Sequence, residues 1–500
     1  MNTAGQAALE GQETDISGLD GTERGGGGGM SEFTSAFRRS FRRLTWHGGH
    51  SRSRTPGART LLGTERAGIE RSISAEEKKP EQDSSRYSGQ FFFEYLVVVS
   101  LKKSGVTYEP QIAYQFPKRE NLMRSQKEEE ESLLRAIPLF CFPDGNTWAP
   151  LTEYESETFS FVLTNVDGSR KFGYCRRLLP RGGGPRLPEV FCIISCLGCF
   201  GLFSKILDEV EKRRQISLAV IYPFMQGLRE AAFPAPGKTV SVKSFIPDSG
   251  TEIINLTRPS DSRLEHVDFS SLFEYLSEEN VIAIFASLLL ERRVIFLAEE
   301  LSILSQCIHA VAALLYPFTW QHTYIPVLPK VMLDTVCSPT PFVVGVQRQF
   351  REQLDELPIE ECLMVDLHTG VFLQKVGDEH DILPHKMYKE LLNSLQSQRK
   401  TCQCSQDLND MVTNTFVLFF VKVVGHYSDH LKRNRSETTF QEKQFRKSVT
   451  SKSIRKFLKS FMATQMFSLF VQELQGPPCS QEGFFEKKIK EHRENRTKVK

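Results

Sequence analysis

The sequence predicts a mixed α/β and α+β fold of three lobes that follow a long polar tail. Three observations support this fold class. Strand patterns joined by short turns and followed by a helix occupy the first folded region, a strand–helix–strand pattern occupies the second, and the final part keeps only helical spacing. We predict a disordered basic tail over 1–88 and lobes over 89–240, 262–396 and 397–490.

The tail has the composition of a disordered segment. Gly25–Gly29 is a glycine run, and Ser, Arg and Gly dominate the remainder. Within it, Phe33–Trp46 carries apolar residues at helical spacing. Four arginines flank this stripe: Arg38, Arg39, Arg42 and Arg43. Such a helix would contact an anionic membrane surface, and the alternative is an Arg-rich segment that never becomes helical.

The first lobe begins with strands. Phe91–Leu101 is aromatic and β-branched, which is typical of a buried strand, and Tyr108–Phe116 is its predicted hairpin partner. Phe159–Thr164 and Phe172–Arg176 are two further strands on either side of an Asp-Gly turn signal. A helix over about Phe203–Arg214 closes this α+β lobe. Residues 221–264 are dotted with prolines and weakly periodic, so a linker is predicted there.

The second lobe is predicted to be α/β. Arg293–Leu297 and Tyr324–Leu328 are short apolar strands separated by a helix over Leu301–Tyr316. A strand–helix–strand crossover implies parallel strands with helices packed on the sheet. Phe342–Val346 is a further strand, and a hairpin is expected over Cys362–Leu373. From residue 397 only helical patterns remain, with basic faces that are more often solvated surface than binding sites.

Composition and targeting signals narrow the class of function. The 63 basic and 61 acidic residues leave a net charge of +2, which gives no reason to expect a nucleic-acid partner. The cysteines lack a disulfide-framework spacing and no apolar signal begins the chain, so a cytoplasmic protein is expected. The longest uncharged apolar run, Val190–Phe203, is shorter than the roughly 18 residues needed to span a bilayer. Any membrane contact is therefore predicted to be peripheral.

Candidate chemistry is sparse. Gly237–Thr239 ends like a phosphate-binding loop, but the required upstream glycine is Ala232 and no long helix follows. Cys192, Cys196 and Cys199 lie close together in an apolar setting, where core packing is favoured over zinc binding. No motif for a nucleophile or a zinc protease is present. The sequence predicts no catalytic residue, no metal and no cofactor, which favours a binding or switching function.

Several ordered blocks resemble the tripartite DENN family. The most specific are central: LLERRVIFLAEELSIL (Leu289–Leu304), YPFTWQHTYIPVLP (Tyr316–Pro329) and SPTPFVVG (Ser338–Gly345). Upstream, Phe92–Leu101 and IPLFCFPDG (Ile137–Gly145) are similar to the first module. CLMVDLHTGVFL at 362–373 looks closest to the type-2 subfamily, in a short form. The resemblance implies a longin-like N-terminal lobe, an α/β central lobe with parallel strands and a helical C-terminal lobe.

The resemblance also implies a function. Such proteins are guanine-nucleotide exchange factors that bind a Rab GTPase in its GDP-bound and nucleotide-free states, without breaking a bond. For the type-2 subfamily the implied partner is a late-endosomal Rab in endosome-to-Golgi transport, and the implied location is peripheral to endosomal or Golgi-related membranes. Two alternatives stay open. One is a Rab-binding scaffold without exchange activity, and the other is a peripheral membrane adaptor that uses the basic tail.

Candidate partner-binding residues fall in two groups. The first is a proline-stiffened loop at the end of a parallel-strand region, where α/β sheets present ligands: Ser338, Pro339, Thr340, Pro341 and Phe342. Its alternative is a rigid turn. The second group is the aromatic pair Trp320 and Tyr324, because exposed aromatic residues form binding hot spots. Burial in the core is the alternative for both. Glu291, Arg292 and Arg293 are expected to form ion pairs at a helix end.

Overall fold

The computed structural model describes residues 91–119, 123–165, 168–247, 249–259, 267–433, 438–476 and 483–498. The predicted tail over 1–88 and its four arginines lie outside these residues. Across the described chain, an antiparallel sheet, a mostly parallel sheet and a set of helices follow one another in the predicted order. The mixed α/β and α+β fold class is thereby confirmed.

The first lobe is built on a five-stranded antiparallel sheet in the order β2-β1-β5-β4-β3. Its strands are β1 (Tyr95–Ser104), β2 (Thr107–Phe116), β3 (Glu157–Thr164), β4 (Arg170–Leu178) and β5 (Glu189–Ser195). Its helices are α1 (Arg124–Cys141), α2 (Phe200–Arg214) and α3 (Leu218–Glu230). In β1, Val97 and Val99 face one buried cluster while Leu96 and Val98 face another, so helices cover both sides of the sheet.

The predicted linker over 221–264 is wrong for the residues that the structure describes. Helix α3 runs through Pro223, and Ser217 caps it by accepting a hydrogen bond from the N–H of Ala219. An antiparallel hairpin follows, formed by β6 (Thr239–Ile246) and β7 (Gly250–Thr257). Inward-facing side chains of this hairpin join the same buried cluster as α3. The segment is thus an integral layer of the first lobe.

The central sheet has the order β12-β11-β8-β10-β9. Its strands are β8 (Val294–Ala298), β9 (Thr323–Ile325), β10 (Phe342–Gln347), β11 (Leu363–Asp366) and β12 (Val371–Gln374). Strands β8, β9, β10 and β11 are parallel, and β12 pairs antiparallel with β11. The predicted parallel pairing is confirmed, although β10 lies between β8 and β9. The helices of this lobe are α4 (Ser270–Tyr275), α5 (Glu278–Leu289), α6 (Leu301–Ala313) and α7 (Arg351–Asp355).

The C-terminal lobe is mainly helical. Its helices are α8 (His385–Arg399), α9 (Ser405–Val424), α10 (Glu442–Ser448), α11 (Lys452–Phe461), α12 (Gln465–Gln475) and α13 (Phe484–Lys498). The small hairpin of β13 (Leu431–Arg433) and β14 (Thr438–Phe440) was not predicted. One described helical stretch, Ser405–His430, is long and apolar enough to cross a bilayer, but most of it is buried in protein, which is typical of a core helix.

A single hydrophobic core connects the three lobes. It contains β1 and α1 of the first lobe, the four parallel strands of the central sheet, and α9, α11 and α12 of the third. Phe318 is one residue through which the central and C-terminal lobes are in contact. The centroid of its ring lies 4.8–5.0 Å from the ring centroids of Phe420, Phe461 and Phe470. Edge-to-face and offset ring pairs of this kind stabilise a core beyond the area they bury. The lobes are therefore layers of one packed body.

Candidate partner-binding site

A buried histidine joins the first lobe to the central lobe. His309 on α6 lies with its Nε2 atom 2.9 Å from Oγ of Ser160 on β3, and with its Nδ1 atom 2.8 Å from the hydroxyl of Tyr324 on β9. A neutral imidazole has one donor and one acceptor nitrogen, and both hydroxyls can take either role. The three side chains therefore satisfy one another inside the protein, where an unpaired polar atom would be costly.

A second contact strengthens this junction. Arg170 of β4 donates a hydrogen bond from its guanidinium to the backbone oxygen of Trp320 at 2.6 Å and lies over the ring of Tyr324. Burial lowers the pKa of Arg170 and raises that of Tyr324 well above its usual range. In addition, the N–H of Ser302 donates to the carboxylate of Glu157 at 2.9 Å. These contacts fix the first sheet against the central one.

The two aromatic candidates for partner binding are part of this junction. Trp320 is 3% exposed and Tyr324 is 5% exposed. The indole N–H of Trp320 donates to the backbone oxygen of Thr323 at 3.1 Å. Both residues thus occupy the core position that the sequence left open as their alternative. Direct contact with a partner would therefore require them to become exposed.

The proline-stiffened loop precedes β10. Pro339 is exposed, Ser338, Thr340 and Pro341 are half-buried, and Phe342 is fully buried at the start of the strand. The hydroxyl groups of Ser338 and Thr340 lie 2.8 Å apart, and Oγ of Ser338 accepts a hydrogen bond from the N–H of Thr340. Phe342 therefore anchors the loop, while the four residues before it form the accessible part. Whether they bind a partner remains a prediction.

The sequence predicted that this loop lies at the ligand-binding edge of the sheet, but the structure places it at the opposite edge. Ligands of α/β sheets bind at the carboxyl ends of parallel strands, whereas Ser338–Pro341 stands at the amino end of β10, because Val343 is level with Val294 at the start of β8. At the carboxyl edge, Asp366 accepts hydrogen bonds from the N–H of His368 and the hydroxyl of Thr369. Asp366 therefore belongs to a turn.

A cleft of 230 Å³ adjoins the loop at this amino-terminal edge. Its walls are Glu291, Arg292, Arg293, Pro339, Pro341, Glu361 and Val376. The guanidinium of Arg292 donates to the carboxylate of Asp378 at 2.7 Å, and that of Arg293 donates to Glu360 at 3.0 Å. The hydrogen bond between Arg292 and Asp378 raises the pKa of the arginine and lowers that of the aspartate. Because each arginine already has a carboxylate, the cleft suits a protein surface of mixed charge rather than a free anion.

Glu291 connects this cleft to the C-terminal lobe. It ends α5 with a φ angle of 53°, a left-handed conformation that is uncommon outside glycine. Its carboxylate accepts hydrogen bonds from the N–H groups of Gln465 and Met466 at 2.9 and 2.8 Å, at the start of α12. Nε2 of His322 lies 3.0 Å from the same carboxylate. Burial alone would raise the pKa of Glu291, but these hydrogen bonds outweigh it and lower the pKa.

Arg292 and Arg293 form the expected ion pairs, whereas Glu291 accepts hydrogen bonds from backbone N–H groups of α12. All of these partners lie far away in sequence. Each residue at this helix end reaches a different element: α12, the loop after β12, and the loop before β11. The sequence contained no signal for these partners, since only the order of the strands brings them together. Glu291 was the residue whose importance was missed, and its position directly after an apolar helix is a weak clue.

The motif look-alikes have structural roles in the described chain. Gly237 has a φ angle of 73° in a turn, and Thr239 begins β6 rather than a helix, so Gly237–Thr239 is no phosphate-binding loop. Cys192 and Cys199 are buried as expected, whereas Cys196 is exposed and donates a hydrogen bond to Glu94. Cys192 instead lies near two thiols from elsewhere: Cys141 and Cys175.

These three thiols are the only set in the described residues whose ligand atoms lie close enough to hold a metal ion together. Cys141 and Cys175 are separated by 3.9 Å between their sulfur atoms. All three side chains are fully buried among apolar residues, and burial raises the pKa of Cys175 and of Cys192 well above the usual value. Free thiols buried among apolar residues pack as small hydrophobic groups. We therefore assign them to the core.

Comparison with known proteins identifies the modules. Three family models match in order: the uDENN domain over residues 110–178, the DENN (AEX-3) domain over 186–370 and the dDENN domain over 440–488. DENN domain-containing protein 2D of Homo sapiens is 62% identical over 444 residues, which cover 87% of this chain and 94% of that protein. The Mus musculus protein of the same name is 63% identical over 432 residues, or 86% of this chain and 92% of that protein.

A longer relative shows the same similarity over part of its length. DENN domain-containing protein 2A of Homo sapiens is 54% identical over 426 residues, which cover 82% of this chain and 42% of that protein. The ordered modules, the mixed sheets and the helical C-terminal lobe agree with one another. The chain belongs to the DENN domain family, within its type-2 subfamily.

Proposed function

We propose that this chain is a guanine-nucleotide exchange factor that promotes GDP release from a Rab GTPase. The observation that carries the proposal is the ordered match to all three DENN modules, combined with 62% identity to a type-2 relative over nearly its whole length. DENN-domain proteins are generally Rab exchange factors and bind Rab GTPases. Under this proposal the chain breaks no bond itself.

Exchange is a matter of differential affinity. A protein shifts an equilibrium only by the difference between its affinities for the two states. An exchange factor must therefore bind the nucleotide-free GTPase more tightly than the GDP-bound one. It achieves this by holding the switch segments of the GTPase where they no longer support Mg²⁺ and the phosphates. This chain therefore has to supply a rigid contact surface.

The geometry supports such a rigid surface. The contacts from Ser160 and Arg170 hold the first sheet against the central lobe. Two prolines and the hydrogen bond at Ser338 stiffen the loop beside the cleft. A preorganised surface loses less conformational entropy when it binds, so more of the contact energy remains to distort the partner. We propose that the amino-terminal edge of the central sheet, with Ser338–Pro341 and the cleft, contacts the GTPase.

A finer form of the proposal concerns the partner and its location. We further propose, because the resemblance to the type-2 subfamily implies it, that the substrate GTPase is a Rab of late endosomes that acts in endosome-to-Golgi transport. Under this form the protein is cytoplasmic and peripheral to endosomal or Golgi-related membranes. Transient contact with those membranes would bring it to GTPases anchored there.

The experiment that tests the proposal is a screen for GDP release. The full chain is mixed with purified Rab GTPases that carry fluorescent GDP, in the presence of excess GTP, and the loss of fluorescence is followed. We expect faster release from one Rab or a small group of Rabs, saturating with concentration of the chain. Saturable binding without faster release from any Rab would overturn the proposal and support the alternative of a scaffold.

A further inference from the structure

Two consecutive helices of the C-terminal lobe carry a concentrated positive charge. The segment 443–459 contains seven basic residues and no acidic one. They are Lys443, Arg446, Lys447, Lys452, Arg455, Lys456 and Lys459, and we call them the basic face. Because the whole chain has 63 basic and 61 acidic residues, this concentration is local. It falls outside the tail, the cleft and the lobe junction.

Helical geometry places the charges of α11 on one side. The four cations occupy positions i, i+3, i+4 and i+7: Lys452, Arg455, Lys456 and Lys459. At 3.6 residues per turn they span an arc of roughly 100°. Three residues on the opposite side are buried: Phe457, Leu458 and Phe461. Burial of the apolar side therefore fixes the cations toward solvent.

Helix α10 repeats the arrangement on a shorter scale. Its cations occupy positions i, i+3 and i+4: Lys443, Arg446 and Lys447. The buried Phe445 lies opposite them. Phe445 and Phe461 both pack on the ring of Phe467, with centroids 6.2 and 5.6 Å away. Because one aromatic cluster anchors both helices, the two sets of cations point away from the same core.

Within the described parts of the chain, no carboxylate neutralises the basic face. Among the residues that the structure describes, none of the seven cations forms an ion pair, whereas many other arginines of the chain do. The five lysines are exposed, and Arg446 and Arg455 are partly so. The nearest acidic residue in sequence, Glu442, is itself exposed at the start of α10. These charges therefore face solvent and form no ion pair with the described residues.

We propose that the basic face binds an anionic lipid surface, specifically a bilayer that contains phosphatidylserine. Clusters of four to eight Lys and Arg residues on a helical surface are attracted to anionic head groups. Lysine predominates here, which suits a diffuse field of point charges. The aromatic residues of these two helices are buried, so no ring is available for stacking on nucleic-acid bases. The proposal goes beyond the exchange function and does not depend on it.

The test is cosedimentation of the full chain with vesicles of phosphatidylcholine, with and without phosphatidylserine. We expect binding only to the vesicles with phosphatidylserine, and a steep loss of binding as salt is raised. The variant K452Q/K456Q/K459Q should bind about 100-fold more weakly, since each lysine near an anionic surface contributes about fivefold. Its unfolding temperature should match that of the unmodified chain, because the three side chains are exposed.

Two further variants separate this face from other sources of charge. K102Q/K103Q/K238Q removes the same charge from exposed positions of the first lobe and should bind like the unmodified chain. R38Q/R39Q/R42Q/R43Q should retain binding that still depends on Lys452, Lys456 and Lys459. Equal binding by the K452Q/K456Q/K459Q variant, or equal loss in the first-lobe control, would overturn the proposal. So would binding to a single-stranded oligonucleotide in place of vesicles.

Discussion

The carboxylate of Glu291 and the imidazole of His322 lie 3.0 Å apart, and the same carboxylate holds the first two N–H groups of α12. Glu291 ends a helix in the left-handed conformation, and His322 precedes β9. The pair therefore fastens the C-terminal lobe to the central sheet beside the cleft. Through this contact, the stability of the C-terminal lobe affects the shape of the central lobe's surface beside the cleft.

Removal of the Glu291 carboxylate should weaken the attachment of α12. We expect Glu291→Ala to lower the free energy of unfolding by about 1–2 kcal/mol, the usual loss for a helix cap. Glu291→Gln retains an oxygen acceptor and should lose less. Urea unfolding monitored by circular dichroism measures both. A Glu291→Ala variant as stable as the unmodified chain would contradict the capping role.

The pH dependence of stability gives a second test of the same residue. The pKa of Glu291 is lower in the folded chain than its ordinary value of 4.5. A carboxyl group with a depressed folded pKa contributes stability above its unfolded pKa and loses it as the pH falls through the folded value. Below about pH 4.5, the unmodified chain should therefore lose stability more steeply than Glu291→Gln. Glu473→Gln, at an exposed position of α12, is the control and should behave like the unmodified chain.

The hydroxyl groups around His309 should be energetically coupled. Ser160→Ala and Tyr324→Phe each remove one hydrogen bond to the buried imidazole, so each should cost about 1–3 kcal/mol. The double variant should cost less than the sum, because both hydroxyls act through one imidazole. Urea unfolding of the four proteins of this cycle supplies the coupling energy. Ser104→Ala, at an exposed strand end, should change stability little. Strict additivity would argue against a connected network.

Charge reversal in the cleft tests the proposed contact surface. Arg293→Glu should slow Rab GDP release by about tenfold, the effect of about 1.4 kcal/mol of lost contact energy. The side chain of Arg293 is only 14% exposed although that of Glu360 is 73% exposed, so the variant should also lose about 1–3 kcal/mol of stability, and release is compared at equal concentrations of folded protein. Arg135→Glu makes the same change of charge on the exposed surface of α1 and should leave release unaffected. Equal release rates for both variants would exclude Arg293 from the contact surface.

The close packing around Gly345 in β10 should leave no room for a side chain at this position. A Cβ atom at Gly345 would collide with the backbone oxygen of Pro326 and crowd the side chain of Ile308. We expect Gly345→Ala to cost about 1–3 kcal/mol or more, as overpacking does. At Gly201 in α2 an added Cβ meets open space, so Gly201→Ala should stabilise by about 0.5–1 kcal/mol. Thermal unfolding of the two variants should therefore shift in opposite directions.

Local patterns predicted the strands well, but the sequence contained less information about which strands are neighbours. Apolar runs marked β8, β9 and β10 correctly, yet nothing in them placed β10 in the middle. That order depends on which helices cover which face, and hence on contacts between distant residues. The linker prediction failed for a related reason. Pro223 usually ends a helix, and only packing against the first sheet shows why α3 continues through it.

The candidate site was predictable in outline and not in detail. The loop Ser338–Phe342 lies beside a cleft, as a binding loop would, but at the amino-terminal edge of the sheet. Trp320 and Tyr324 gave no sign of their burial, because an aromatic residue suits a core and an interface equally well. The contacts of Glu291 with α12 were not predicted, because they and its backbone conformation arise only in three dimensions.

The shared core around Phe318 affects how the protein unfolds. If each lobe had its own hydrophobic core, the lobes would unfold one after another on heating. Here the aromatic rings of the third lobe complete the interior of the second, so these two lobes should melt in a single event and proteolysis should release neither of them intact. A destabilising substitution near the C-terminus would then weaken the proposed contact at the distant cleft by lowering the population of the native state.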